Sequence, residues 1–436
     1  MRRQRAHQDA RASQLGYQEE DQLEIWRAAL QREMAGARWT RAKVRAGGTA
    51  ERKSVRTAGW SFGSEAILSM IHAVLSLAFY FLLLHAASYL PLFDASPLLL
   101  SRQSSLFRWD ALHFLHIADH GYVFEHEWAF FPGAPLTLSL LLRTHALFSP
   151  AVLAVLSSKA LYSLSLYHLR SPELARLASL LALLPTSPVT LYFAPYNEPF
   201  FTFLSYQGML CCTRRQWFLA SILFALAGAF RANGIFLGGF ILWGMLVRPF
   251  LDRKMPQTRV LLKSIVLTAV VISPFVIHHI YAYSLFCYGL HSVPAWCHRV
   301  PPSLYTHVQE KYWNSGFLRY WTLDQLPNFL ISTPTILLIT SFSFSHLTKI
   351  GHADAKHFEN ITITPHVIHS IIFLFILVFA SHTQIILRLA ASMPVVYWAA
   401  AWLLSEHPSF GRLWVIWSVL WSVISTILWA AFLPPA

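Results

Sequence analysis

The sequence predicts an all-α polytopic membrane protein, with about eleven transmembrane helices and a large polar loop after the first. Three observations lead there. The 436 residues are 55% hydrophobic and 15% aromatic but 13% charged, with 16 Trp and 32 Phe to form interface girdles. The apolar residues fall into many separate runs near twenty residues long, which a soluble core does not need. The basic residues gather in the N-terminal arm and in short loops between runs, the pattern of a cytoplasmic surface. That distribution argues against nucleic acid as the partner of a +13 chain.

Residues 1–59 carry thirteen Lys/Arg against seven Asp/Glu, a net +6 ahead of the first apolar run. They read as a basic cytosolic arm, not a cleavable signal, because no apolar core lies among them. The arm is either a disordered tail or, over residues 17–45, a basic helix on the membrane surface. Residues 60–436 read as one polytopic domain with lumenal loops at 92–132 and 285–325. The first span is 66–91. The piece 133–147 is apolar but short, interrupted by Arg143 and followed by Pro150. It is expected to lie in or dip into the lumenal leaflet. Further spans follow at 151–169, 175–193, 200–213, 216–230, 235–247, 261–284, 327–346, 364–381, 384–404 and 412–432.

These assignments carry a parity. If 133–147 does not cross, the Asp110 loop, the Glu198 turn, the Arg231 turn and the Cys-bearing loop share one face. The Arg/Lys-rich loops then share the other, and the sequon Asn360-Ile-Thr362 is cytosolic and unmodified. Cys211 and Cys212 sit in an apolar run and read as packing residues. Cys287 and Cys297 lie between two spans with no zinc spacing. A disulfide between them is expected, in an oxidising lumen. There is no fixed-period repeat.

The stretch Phe107–Pro135 holds the richest run of ionisable residues between two apolar regions. Asp110 is its leading catalytic candidate. Helical spacing would place His113 on the same face, and a carboxylate beside a His can act as general base. The alternative is that Asp110 caps the helix that follows. Glu198, in the turn Tyr192-Phe-Ala-Pro-Tyr-Asn-Glu-Pro199, could bind a sugar hydroxyl or serve the helix dipole. Arg231 and Arg388 lie at membrane depth and could bind phosphate or snorkel to the interface. No Walker loop, dinucleotide fingerprint or HExxH pair is present, which disfavours soluble nucleotide handling and zincin chemistry. No clear metal cage is visible, and dependence on a divalent ion stays undetermined.

The motifs WDALHFLHIADHGYVFEHEWAFFPGAPL, SPVTLYFAPYNEP, FRANG, HVQEKYWNSGFLRYWTLDQLPNFLIS and LRLAASMPVVYW occur in that order between about Phe107 and Trp402. Together they resemble the PIG-V family, the GPI mannosyltransferase 2 type, within the GT-C glycosyltransferases. The resemblance implies an endoplasmic reticulum enzyme that transfers the second mannose of the glycosylphosphatidylinositol (GPI) precursor, α-1,6, with inversion. It implies dolichyl phosphate mannose as donor, the GPI lipid as acceptor, no tightly bound cofactor, and a possible small accessory membrane subunit. It also implies Asp110 as the lumenal base. Arg108, Trp109, His113, Glu198, Arg231 and Arg388 are then expected to bind substrate. Two departures stand out: Asn197 and Pro199 flank Glu198 where Ser and Ala are usual, and Ala232 follows Arg231 where Ser is usual. Rival readings are another dolichyl-phosphate-mannose-dependent GT-C enzyme, a lipid transporter or a non-catalytic membrane subunit.

Overall fold

Proline punctuates this chain, and several helices begin where it falls. The computed structural model describes residues 71–94, 104–144, 149–288, 293–350 and 356–433. Those residues are helical and irregular, with no strand among them, and belong to one compact unit, Met70–Ala436. The basic arm 1–59 lies outside the described residues.

Helix α1 spans Ile71–Ala87. The polar stretch holds α2 (Asp110–His120), and α3 (Gly133–Thr144) packs on it through a cluster containing Phe114, Ala134 and Leu138. At 12 residues, α3 is about 18 Å long, short of a bilayer core. Next come α4 (Ser149–Leu169), α5 (Pro172–Leu181), α6 (Pro188–Tyr192), α7 (Glu198–Thr213) and α8 (Trp217–Gly228). The chain continues with α9 (Ala232–Leu251), α10 (Thr258–Phe286), α11 (Leu304–Trp313), α12 (Leu323–Lys349) and α13 (Ile361–Phe379). It ends with α14 (Thr383–Ser392), α15 (Pro394–Glu406) and α16 (Pro408–Ala430). Pro172, Pro188, Pro199, Pro394 and Pro408 all sit in first turns, where a missing N–H costs nothing.

Among the described residues, six helices are long and apolar enough to cross a membrane, or seven if the bent pair α14–α15 is one span. The expected count of about eleven is therefore not reached on length. Two predicted spans are broken by proline. The segment 175–193 divides into α5 and α6, with Pro185 and Pro188 between or at their ends. The segment 384–404 bends by 88° at Met393. Met393 is extended (φ −107°, ψ 105°) because the following proline ring excludes it from the helical region. Beyond that bend α15 enters the core, where Val395, Trp398, Ala399, Ala400 and Ala401 are fully buried. The Trp398 indole donates to Ser165 Oγ at 2.7 Å.

Contacts between loops distant in sequence tie the fold together at two places. At one end, Lys311 and Tyr312 of α11 donate to Glu125 of the first loop. Burial raises the Glu125 carboxyl, but these donors outweigh it and hold the group below the ordinary carboxylate range. Cys287 and Cys297 are joined by a disulfide, with Cα atoms 5.8 Å apart. At the other end, Asn360 Nδ2 donates to the His168 carbonyl at 3.0 Å, and His357 meets the Leu169 carbonyl.

Two glycines let backbones meet at the first end. Gly133 N donates to the Ala229 carbonyl at 2.8 Å, and a Cβ on Gly234 would lie 2.4 Å from Gly228 Cα. Nothing lies within 4 Å of a Cβ on Gly239, one turn on. Gly234→Ala is therefore expected to destabilise the protein by about 1–3 kcal/mol through overpacking. Gly239→Ala should be neutral or slightly stabilising, since alanine is the better helix former. Thermal unfolding of both variants in detergent checks the contrast.

Candidate active site

Four charged side chains from four separate segments meet at the loop-rich end. Asp110 opens α2, Glu198 opens α7, Arg231 ends the turn after α8, and Arg388 lies in α14. Arg388 Nη1 donates to Asp110 Oδ2 at 2.9 Å, and its Nε lies 3.9 Å from Glu198 Oε1. Arg231 Nη2 donates to the same Glu198 oxygen at 2.7 Å. The result is an alternating line, Asp110–Arg388–Glu198–Arg231, with two acids and two guanidinium groups. Glu198 is 3% exposed, a depth at which an unpaired carboxylate would cost several kcal/mol. Asp110 is the open end of the line, with its side chain 33% exposed.

Local structure aims Asp110. Trp109 adopts a positive φ (φ 52°, ψ −125°), so the chain turns sharply into α2. The Tyr196 hydroxyl accepts from the Asp110 backbone N–H at 3.0 Å and donates to the Arg108 carbonyl at 3.3 Å. The Tyr196 ring also lies under the Arg388 guanidinium, 5.7 Å from its centroid. The helix N-cap is Trp109, with no side-chain cap bond. The Asp110 carboxylate thus takes Arg388 instead of capping α2.

Two cavities meet at Asp110 and Arg388. One, of about 350 Å³, is walled by Trp109, Phe130, Tyr196, Trp313 and Trp429, with Gln309, His382 and Gln384. The other, of about 210 Å³, adjoins Arg231, Asn197, Asn233 and Tyr305, with apolar walls from α9 and α13. Phe130, Gln309 and Ile385 line both.

The sequence-derived residues divide accordingly. Asp110, Glu198, Arg231 and Arg388 come together, and Trp109 lines the larger cavity while stacking on Phe432 (centroids 4.8 Å apart). Arg108 does not face either cavity. Its guanidinium donates to the Ser104 and Phe107 carbonyls and lies over the Phe432 ring, and the residue is 6% exposed. His113 does not form the expected pair with Asp110. Its ring stacks on Phe130 at 4.9 Å and meets His126 edge-on, and burial pushes its imidazole below the ordinary range against the pull of Asp110. Being three residues into α2, its side chain is captured by the folded-back loop, while Asp110 points outward from the first turn. His116 and buried Glu127 bond one another, and Glu127 also accepts from the backbone N–H groups of Val123 and Phe124. Most ionisable groups of this stretch therefore build the loop.

Sequence reasoning gave no role to Tyr196, Tyr305, Gln309, Trp313, His382 or Gln384. Tyr196 had a signal, standing two residues before Glu198; the others reach the site from distant segments. Among the described residues, no group of three or more His, Cys, Asp or Glu is placed to hold a metal ion.

The buried pair gives a test. Arg231→Ala leaves Glu198 with Arg388 alone and should cost about 3 kcal/mol. Adding Glu198→Ala should recover part of that loss, giving a coupling of about 1–3 kcal/mol in a double-mutant cycle. Additive losses in unfolding measurements would mean that the two side chains do not interact.

The comparisons with known proteins agree on one assignment. The pattern of the family described as Mannosyltransferase (PIG-V) matches residues 85–436. A Cryptococcus neoformans protein named GPI mannosyltransferase 2 is 34% identical over 397 residues, covering 80% of this chain and 93% of its own length. The Rattus norvegicus protein named GPI alpha-1,6-mannosyltransferase 2 is 32% identical, covering 69% of this chain and 74% of its own. A Schizosaccharomyces pombe protein named GPI mannosyltransferase 2 is 29% identical, covering 80% of each. No solved structure matches. The chain belongs to the PIG-V mannosyltransferase family.

Proposed function

We propose that this protein transfers the second mannose of the GPI precursor from dolichyl phosphate mannose, through an α-1,6 linkage, at the lumenal face of the endoplasmic reticulum membrane. The basic arm stays in the cytosol. The observation that carries the reading is the line Asp110–Arg388–Glu198–Arg231 at the junction of two cavities. The names of the similar proteins support the acceptor and linkage. The GT-C resemblance supports the donor.

Asp110 is the base. It takes the proton from the 6-hydroxyl of the acceptor's first mannose. That oxygen bonds to the donor's anomeric carbon from the face opposite the phosphate, while the bond from that carbon to the phosphate oxygen breaks. A β-linked donor thereby gives an α product in one displacement. The phosphate leaves as an anion and needs no proton, so one carboxylate suffices. Arg388, with Arg231 behind it, stabilises the negative charge that grows on the departing phosphate. Glu198 positions these two cations and does not itself react.

Asp110→Ala should reach the membrane at normal levels yet fail to restore surface GPI-anchored proteins in cells that lack the enzyme. Restoration by that variant would sink the assignment of the base. The compartment has a separate test. Glycosylation sequons placed at 94–104 and at 298–306 should be modified, whereas the natural Asn360 should not. Modification at 349–360 would put the candidate site on the cytosolic side.

A further inference from the structure

The two cavities differ in what walls them, and the difference is chemical. The smaller one lies between α9 and α13, both long and apolar enough to span a membrane. Phe236, Phe373, Ile376 and Leu377 from those helices form its apolar side. Its polar side is under-satisfied. Both amide atoms of Asn233, Oδ1 of Asn197, and Nε of Arg231 and of Arg388 are buried with no hydrogen-bond partner among the described residues. Buried polar groups are normally paired, and a cluster of unpaired ones beside a cation suits an anionic, hydroxyl-rich ligand. The larger cavity has fewer such groups, Trp109 Nε1 and Ser315 Oγ, and differs in its walls. Its walls come from loops and helix ends, and three indoles, Trp109, Trp313 and Trp429, line it where the smaller cavity has none. Flat indole faces suit the C–H faces of sugar rings, and His382 and Gln384, which line this cavity and not the smaller one, can meet hydroxyls.

We infer that the two cavities divide the substrates. The Asn233 cavity holds the sugar and phosphate of the polyisoprenyl donor, and the Trp313 cavity holds the glycan of the acceptor, with Asp110 and Arg388 at their shared boundary. The inference rests on the transfer reaction proposed above. Reach supports it as well as lining chemistry. In the donor, the reacting carbon is joined through phosphate directly to a hydrocarbon chain, so it must react beside membrane-spanning helices. In the acceptor, a phosphoinositol and two sugars separate the lipid from the reacting hydroxyl, which can extend into a loop-walled space. The division also places Asp110 beside the incoming hydroxyl, at the boundary where that oxygen meets the anomeric carbon. Arg231 and Arg388 then stand on the phosphate side.

The test uses the full-length enzyme purified in lipid–detergent micelles, with dolichyl phosphate mannose and a GPI precursor carrying one mannose. Asn233→Ala should raise the donor KM about tenfold and leave the acceptor KM within about twofold. Trp313→Ala should do the reverse, and Trp313→Phe should recover most of the loss. A binding readout stands apart from turnover: dolichyl phosphate without sugar should raise the Tm of the wild type and of Trp313→Ala, but not of Asn233→Ala. That shift is measured within each variant, so a general loss of stability does not imitate it. Exchanged KM effects, equal rises in both KM values for both variants, or a full Tm shift in Asn233→Ala would overturn the division while leaving the transferase reading intact. Absence of mannose transfer by the wild type would instead overturn that reading, and the division with it.

Discussion

The burial of Glu198 is the constraint on which this end of the protein depends. A carboxylate 3% exposed beside apolar helices needs cations delivered to it, and the fold brings two from different directions. Arg231 arrives on the turn between α8 and α9. Arg388 arrives on α14, the short helix ahead of the bend at Met393. Since Arg388 also reaches Asp110, burying one acid fixes the position of the other. The site is thus a consequence of electrostatic neutrality in a dry region, with Asp110 left at the end that faces open space.

Backbone features far from one another in the chain serve that arrangement. Pro394 stops α14 from running on into α15, and so leaves Arg388 beside α2 instead of deep in the bundle. Gly133 and Gly234 remove the side chains that would separate α3, α8 and α9, and the Arg231 turn sits where those backbones touch. Tyr196 holds the first amide of α2 with its hydroxyl and Arg388 with its ring.

The ionisable residues of the first loop have a plainer use. Glu127 bonds His116 and two backbone amides, and Glu125 bonds Lys311 and Tyr312 across to α11. These pairs close the loop onto the segment that supplies Gln309 and Trp313 to the larger cavity. A stretch rich in charge therefore contributes one acid to the two cavities, Asp110, and a scaffold for the walls around it. His113 and Arg108 belong to that scaffold.

The sequence by itself determined the all-helical class, the polar stretch that carries Asp110, and the candidacy of Glu198, Arg231 and Arg388. These are properties of composition, apolar run length and local charge, which are read one segment at a time. The tertiary structure decided which of those charges touch, that Arg108 and His113 turn away, and that α14 and α15 meet at 88°. Apolar content alone does not distinguish a span from a helix broken by proline, since both bury the same residues. The pairing of Arg388 with Asp110 joins residues 278 apart in the chain, and no local pattern encodes a contact across that separation. It exists because Arg388 stands between Asp110 and the buried Glu198, and where a side chain is buried is settled only when the helices have packed.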